Sequence, residues 1–148
     1  MNEDLLRLTP DDVFVTTFLG RYAPRNNILR WCLAGHPSPL LQDQSGEVTT
    51  LEQSSPFLGV FSNDQALLQY CDRQSQLTGG QRLVIYTDGL VDAPNALGEP
   101  MGTERLKQLL EQHRALEASK LAGQLALELG QCDGDHLPDD VAVIIMDF

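Results

Sequence analysis

The sequence has few cysteines, and their positions do not suit cross-linking. The three cysteines, Cys32, Cys71 and Cys132, lie far apart and form no C-x-x-C pair, and any disulfide would leave one of them over. A disulfide framework needs an even set of cysteines, and a structural zinc site needs closely spaced ligands. The sequence therefore predicts buried free thiols and excludes the disulfide-rich and zinc-ribbon classes of domain.

Basic residues are also scarce. There are 10 lysines and arginines against 21 aspartates and glutamates, which gives a formal net charge of −11. Proteins that bind nucleic acid neutralise its phosphates with a stripe of Lys and Arg, and no such stripe exists here. We therefore expect no nucleic-acid partner. The acidic excess favours a well-hydrated surface, with a specific attraction for cations or basic partners as the alternative.

Long apolar runs and a basic amino-terminal segment are absent as well. No apolar run approaches the roughly 18 residues that a membrane helix needs, and residues 1–4 lack the positive charge of a signal peptide. The sequence thus predicts a cytoplasmic protein without a membrane partner. Its 148 residues correspond to a single domain.

Sequence patterns typical of strands occupy the first two thirds of the chain. Residues 13–22 and 28–34 flank the turn residues Pro24, Arg25, Asn26 and Asn27, which predicts a β-hairpin. Further strands are predicted at residues 40–42, 47–51, 66–71 and 83–86. Their short connections indicate an antiparallel meander.

Helical periodicity replaces the strand pattern after residue 102. Thr103 is placed to cap a helix with four residues on one face, and a second helix ends at Gly130. The face residues are Leu106, Leu109, Leu110 and His113 in the first helix and Leu121, Leu125 and Leu129 in the second. An apolar run at 141–146 predicts a final strand. Strands followed by helices indicate an α+β fold.

Two acidic residues lie at the ends of predicted strands. The strand at 83–86 runs into Thr87-Asp88-Gly89, and Asp139 and Asp140 precede the last strand. If these strands are antiparallel neighbours, Asp88 and Asp139 lie close together. Carboxylates on rigid strand ends suit Mg²⁺ or Mn²⁺. From the spacing alone, metal ligand and ordinary turn residue are equally good interpretations of Asp88.

The other candidate ligands favour structural roles. Asp133 and Asp135 are interpreted as a solvated loop, because the later ligands of a calcium loop are missing. His36, between Gly35 and Pro37, has no second histidine at metal-ligand spacing, so we expect a hydrogen bond to the backbone instead. No G-x-S-x-G, Walker or G-x-G-x-x-G motif occurs, so serine hydrolase and nucleotide-binding functions have no support.

Six motifs, in this order, resemble the bacterial branch of the metal-dependent protein serine/threonine phosphatases, the type-2C-like group of sporulation and stress-response phosphatases. They are Phe14-Val15-Thr16, Ala34-Gly35-His36-Pro37-x-Pro39-Leu40-Leu41, Leu58-Gly59, Tyr86-Thr87-Asp88-Gly89, Gly98-Glu99-x-x-Gly102-x-Glu104-Arg105-Leu106 and Asp139-Asp140-Val141. The resemblance implies an antiparallel β-sandwich flanked by helices. It also implies a centre with two Mn²⁺ or Mg²⁺ ions at one end of the sandwich.

The resemblance also implies roles for single residues. Asp88 matches the metal-coordinating acid of the T-D-G motif, and Asp139 matches the first acid of a D-D-I-T-like motif. Asp140 matches a neighbouring position that is usually not a ligand. No catalytic residue beyond the metal ligands is implied, and the less certain site residues are Thr87, Gly89, Asp140 and His36.

The sequence departs from the family pattern in two places. Family members begin with a D-x-x-G-H-G-like stretch that carries further metal ligands, and nothing here matches it. Threonine is usual where Ala142 stands. Residues 1–148 are therefore expected to be the C-terminal part of such a domain, with an incomplete sandwich and no activity alone. We expect uncovered apolar faces at 13–19 and 83–86, and a homodimer.

The function that the resemblance implies belongs to the complete domain. It is metal-dependent hydrolysis of a phosphoserine on a phosphorylated STAS-type anti-anti-sigma factor, with a receiver or sensor domain attached upstream. The alternative is a catalytically degenerate phosphatase-like adaptor that binds a sigma-factor regulator without hydrolysis. A third possibility is an unrelated acidic α+β domain.

Overall fold

The structure is a computed structural model that describes residues 1–8, 10, 13–53, 55–62, 70–94, 98–130 and 139–148. The chain divides into two compact units, residues 1–38 with 52–78 and residues 39–51 with 79–148. Within the described ranges, no helix has the length and apolar character needed to cross a membrane. The elements are α1 (Asn2–Leu8), β1 (Thr17–Ala23), β2 (Ile28–Ala34), β3 (Leu40–Gln42), β4 (Val48–Thr50), β5 (Arg73–Gln76), β6 (Arg82–Tyr86), α2 (Asp88–Asp92), α3 (Gly102–Gln112), α4 (Ala118–Gly130) and β7 (Val143–Asp147).

The first unit contains a three-stranded antiparallel sheet in the order β1-β2-β5. β1 and β2 pair from Thr17 opposite Ala34 to Ala23 opposite Ile28, which confirms the predicted hairpin. The first strand begins later than predicted. The segment before it turns to a different partner, because Val15 exchanges two backbone hydrogen bonds of 2.9 Å with Leu58.

Side chains on β2 alternate between the interior and solvent. Leu29, Trp31 and Leu33 are buried, whereas Arg30 between them is exposed. This period of two is that of a strand with one covered face. One face of β2 is therefore covered, while the opposite face, which carries Ile28, Arg30 and Cys32, is partly or fully exposed at those residues.

The second unit contains a four-stranded antiparallel sheet in the order β4-β3-β6-β7. β6 is an inner strand, and Val84 and Tyr86 belong to a buried core that α3 and α4 complete. The helix residues in that core are Leu106, Leu109, Leu110, Leu121 and Leu125, at the spacing that places them on one face of each helix. Antiparallel sheets with helices confirm the predicted α+β class.

Three details of the sequence prediction are corrected by the structure. Thr103 is not a helix cap, because α3 begins at Gly102 with Met101 at the N-cap. Thr103 instead hydrogen-bonds Tyr86, whose pKa is raised above its usual value mainly because the phenol is buried. Residues 83–86 are not an uncovered face either, since Leu83, Val84 and Tyr86 are each at most 3% exposed.

The third detail is the strand predicted at 66–71. Residues 66–69 lie outside the described part of the chain, as do Asp133 and Asp135. Tyr70 and Cys71 are not in a strand, and the strand that pairs with β2 is β5, from Arg73 to Gln76. The second long helix, α4, extends to Gly130, the last residue that the structure describes before residue 139.

Candidate metal site at the ends of two strands

The candidate site lies where β6 ends and β7 begins. The two strands pair antiparallel from Arg82 opposite Asp147 to Tyr86 opposite Val143, which confirms that they are neighbours. One residue further along, the Thr87 backbone N–H donates to the Ala142 carbonyl oxygen at 3.0 Å. The residues after β6 and before β7 therefore meet at one end of the sheet.

The side chain of Thr87 joins the two segments a second time. Its hydroxyl oxygen Oγ1 donates to the Asp140 carbonyl oxygen at 3.0 Å and accepts from the Ala142 backbone N–H at 2.9 Å. A single hydroxyl thus acts as donor and acceptor at once. Threonine at this position fixes residues 140–142 against the end of β6.

Gly89 packs closely against the segment that precedes β7. A Cβ atom at this position would lie 2.6 Å from the Asp140 carbonyl oxygen and 3.1 Å from the Asp139 carbonyl oxygen. Both of these are backbone atoms, which cannot rotate out of the way as a side chain does. Residue 89 must therefore lack a side chain for the backbone of Asp139 and Asp140 to lie this near the start of α2.

Asp88 is the first residue of the short helix α2, and the Leu90 backbone N–H donates to the Thr87 carbonyl oxygen at 3.1 Å across its first turn. Its carboxylate is exposed, and Oδ1 accepts from the Gly89 backbone N–H at 3.1 Å. Asp139 is exposed too, and its Oδ1 accepts from the Asp140 backbone N–H at 2.7 Å. Within the described ranges, Oδ2 of each carboxylate makes no hydrogen bond and is open to a ligand.

Two exposed carboxylates with open oxygens have the donor chemistry that Mg²⁺ or Mn²⁺ prefers. Among the residues that the structure describes, however, no group of three or more His, Cys, Asp or Glu side chains converges on one point. Asp88 and Asp139 therefore have the chemistry of one part of a metal site, and the described residues supply no third acidic, histidine or cysteine ligand beside them.

A partly buried ion pair lies at the opposite end of the same two strands. Arg82 donates from Nε to Asp147 Oδ1 at 2.6 Å and from Nη2 to Asp147 Oδ2 at 3.1 Å. Nη2 also donates to the Leu116 carbonyl oxygen at 2.7 Å. This two-pronged contact was missed in the sequence, although opposite charges at the outer ends of two apolar runs are a signal for it.

His36 belongs to the first unit, whereas Asp88 and Asp139 belong to the second. Its Nδ1 lies 2.8 Å from the carbonyl oxygen of Pro37, the next residue, so the protonated nitrogen donates there. The predicted backbone hydrogen bond is thus confirmed. This bond leaves Nε2 as the nitrogen for any further contact.

The sequence profile of the family described as stage II sporulation protein E (SpoIIE) matches residues 1–148. The phosphoserine phosphatase RsbP of Bacillus subtilis strain 168 is 31% identical over 115 residues, which are 77% of this chain and 26% of that protein. The chain thus spans about a quarter of this curated relative.

Solved structures show the same fold. The SiaA-PP2C domain of Pseudomonas aeruginosa superposes with a TM-score of 0.85 at 19% identity, over 99% of this chain and 57% of that chain. The phosphatase domain of the Bacillus subtilis cell fate determinant SpoIIE, presoaked with Mn, gives a TM-score of 0.66 at 15% identity, over 98% of this chain and 62% of that chain. The type-2C-like phosphatase fold expected from the motifs is confirmed, and each solved domain is longer than this chain.

Proposed function

This chain belongs to the stage II sporulation protein E family, and from that premise we propose that it is the C-terminal part of a metal-dependent phosphatase domain that acts on phosphoserine in a regulatory protein. The relative RsbP is a phosphoserine phosphatase, which supports this class of substrate. The finer proposal is a phosphorylated STAS-type anti-anti-sigma factor as substrate, with a receiver or sensor domain upstream.

The proposal depends most on one observation: the segments that carry Asp88 and Asp139 meet at one end of the sheet. The hydroxyl of Thr87 and the bare backbone of Gly89 bring two exposed carboxylates to one end of the sheet. Each carboxylate accepts one backbone N–H through Oδ1, and neither forms an ion pair within the described part of the chain. Exposed acids held in place without a basic partner are suited to bind a cation.

In the complete domain, two Mn²⁺ or Mg²⁺ ions would supply an activated water and stabilise charge on the phosphoryl oxygens. The residues of this chain bind and position. Asp88 and Asp139 each offer the carboxylate oxygen Oδ2, while Oδ1 is held by a backbone N–H. Those hydrogen bonds orient the carboxylates before any ion arrives, which lowers the cost of binding.

A second function remains in competition. Because no third acidic, histidine or cysteine ligand joins Asp88 and Asp139 in the described ranges, a degenerate phosphatase-like adaptor also agrees with the structure. Such an adaptor binds the regulator without removing its phosphate. The two proposals differ in whether the encoded protein contains further metal ligands outside these 148 residues.

The test uses the longest encoded protein that contains this chain. We expect Mn²⁺-dependent hydrolysis of p-nitrophenyl phosphate and of a phosphorylated STAS-domain protein. Asp88→Asn and Asp139→Asn each retain the shape of the side chain and remove its charge. We expect each to lose more activity than the roughly 10- to 100-fold typical of residues that only support ligands.

His36→Ala is the control, because His36 is held by the neighbouring backbone and is expected to lose little activity. Equal losses in the histidine and aspartate variants would show that the assignment of the site is wrong. A wild-type protein that binds the regulator but hydrolyses nothing at saturating Mn²⁺ would establish the adaptor instead.

A further inference from the structure

Two arginines lie directly opposite each other in the first unit. Arg21 of β1 pairs with Arg30 of β2 in the hairpin register, and both side chains are exposed. Like charges in directly opposed positions destabilise an antiparallel pair. Neither guanidinium has an ion pair or a hydrogen bond within the part of the chain that the structure describes. The repulsion between the two guanidiniums therefore destabilises the hairpin, and no acidic partner among the described residues offsets it.

The sequence around this pair is unusual for so acidic a protein. Residues 13–42 contain Arg21, Arg25 and Arg30 but no aspartate or glutamate, although the whole chain carries 21 acidic residues and 10 basic ones. The hairpin is therefore locally positive in a molecule with a net charge of −11. A local patch of positive charge attracts an acidic ligand, while the negative charge on the rest of the surface repels it.

A small pocket lies beside the two arginines. Arg21 and Arg30 line a shallow pocket of about 150 Å³ together with Ala23, Asn26 and Ile28. Ala23 lies opposite Ile28 in the register, so the apolar pair and the arginine pair lie on the same face of the hairpin. The pocket thus offers a bound acidic side chain apolar contact with Ala23 and Ile28 beside the two guanidiniums.

The turn beside the pocket is held by side-chain hydrogen bonds. The Tyr22 hydroxyl lies 2.8 Å from Asn27 Oδ1, and Asn27 has a positive φ of 52°. Gln76 of β5 donates from Nε2 to the Asn26 carbonyl oxygen at 2.8 Å. These contacts fix the backbone of the turn beside the pocket, so less conformational entropy of the turn is lost on binding.

We propose that the arginine face, defined as the exposed side chains of Arg21 and Arg30 with the pocket between them, binds an acidic segment of a protein partner. Carboxylates match the planar donor fork of a guanidinium. Two arginines side by side favour a segment with neighbouring acidic residues over an isolated acid. Nucleic acid is disfavoured, because the negative charge of the whole chain opposes a long polyanion. All of these residues lie in the first unit, so the proposal does not depend on the metal site.

The experiment measures fluorescence anisotropy of a labelled hexaglutamate peptide with the full 148-residue chain. We expect saturable binding that weakens as salt rises, because exposed charges are screened. Arg30→Glu replaces the repulsive pair with an attractive one, so the hairpin is retained and its thermal midpoint does not fall. We expect this variant to bind the peptide at least ten times more weakly, which is about 1.4 kcal/mol.

The matched control is Arg7→Glu, which makes the same charge change on the exposed end of α1. We expect it to retain peptide binding. Equal weakening in the two variants, or no saturable binding by the wild-type chain, overturns the proposal. It is also overturned if a DNA oligonucleotide displaces the peptide more effectively than free hexaglutamate does. The last alternative is that a second copy of this chain occupies the arginine face. Light scattering tests it: if the wild-type chain self-associates and Arg30→Glu abolishes this self-association, the proposal of an acidic partner segment is overturned.

Discussion

At the scale of single residues, a few atoms of Thr87 and Gly89 set how the segments that carry the candidate ligands pack against each other. One hydroxyl, that of Thr87, contacts both Asp140 and Ala142, and the absent side chain of Gly89 leaves room for their backbone. A larger residue at position 89 would not be accommodated easily, because the nearest neighbours of Gly89 are main-chain atoms. The separation between Asp88 and Asp139 thus depends on residues that offer no ligand themselves.

The first consequence is a prediction for Gly89→Ala. The added methyl group would lie 2.6 Å from the Asp140 carbonyl oxygen, so the strand ends must separate. Overpacking of this kind typically costs about 1–3 kcal/mol. We expect a loss of that size in the free energy of unfolding, measured with urea, and weaker Mn²⁺-dependent phosphatase activity in the longest encoded protein that contains this chain.

The control for this substitution is Gly123→Ala within α4, where no atom lies within 4 Å of the new Cβ. Alanine in a helix interior is expected to stabilise by about 0.5–1 kcal/mol relative to glycine. Destabilisation by both substitutions to the same extent would argue against a close contact at Gly89.

Part of the candidate metal site can be predicted from residue types in the sequence. Asp88 and Asp139 are predictable because carboxylates that adjoin buried strands are chemically distinctive. The restriction at Gly89 is invisible in the local sequence, because it arises from the register of β6 against β7. The contacts of Thr87 were missed for the same reason, since its partners are more than fifty positions away.

At the scale of elements, β6 and β7 are fixed at both ends. Arg82 and Asp147 bond at the first pair of the ladder, and Thr87 bonds Ala142 just past the last. Arg82 is 8% exposed, and its Nη1 atom is buried without a hydrogen-bond partner in the described ranges. The guanidinium therefore relies on the Asp147 carboxylate to offset its burial.

We accordingly predict that Asp147→Asn destabilises the chain by about 2 kcal/mol, because it leaves a buried charge without its counter-ion. The figure lies below that of a fully buried pair, since the Asp147 side chain is 47% exposed. Urea unfolding measures this change. Glu117→Gln, which removes an exposed contact of 3.9 Å with Lys120, is expected to change stability by less than about 0.5 kcal/mol. Similar values for the two variants would contradict a special role for the Arg82 pair.

The elements themselves were predicted to different degrees. The β1–β2 hairpin and the helices α3 and α4 follow from local periodicity, and their positions were predicted well. The start of β1 was not, because the segment before it pairs with distant Leu58 through Val15. Thr103 has the residue type of a cap, but its hydrogen bond to Tyr86 on β6 decides its actual role. Tertiary contacts override local preference in both cases.

At the scale of the whole molecule, the order of the six motifs predicted the phosphatase fold correctly. The expectation of uncovered apolar surface was correct for one segment and wrong for the other. Within residues 13–19, Val13, Phe14, Val15 and Leu19 are between 37% and 65% exposed. Residues 83–86 are covered, because α3 and α4 pack on Val84 and Tyr86.

Exposed apolar residues also occur on β7, the outer strand of the four-stranded sheet. Ile144 is 56% and Met146 is 36% exposed. A sheet edge with apolar side chains tends to pair with another copy, and two-fold dimers are the commonest result. We therefore predict that the isolated chain forms a dimer at micromolar concentration and has no measurable phosphatase activity.

Light scattering and an activity assay check this prediction. Ile144→Lys is expected to shift the chain toward the monomer, whereas Leu127→Lys, at an exposed apolar position on α4, is not. A wild-type chain that remains monomeric would contradict the dimer. Mn²⁺-dependent turnover that Asp88→Asn abolishes would show that this chain completes its own site.

The double attachment of β6 to β7 also restricts how the length of this region can change. Equal numbers of residues separate Arg82 from Thr87 and Ala142 from Asp147. Inserting or deleting one residue in either strand would break the contact at one end, and it would turn the following side chains to the opposite face of the sheet. Insertions and deletions among homologues should therefore fall in the connecting segments, while the two strands keep their lengths.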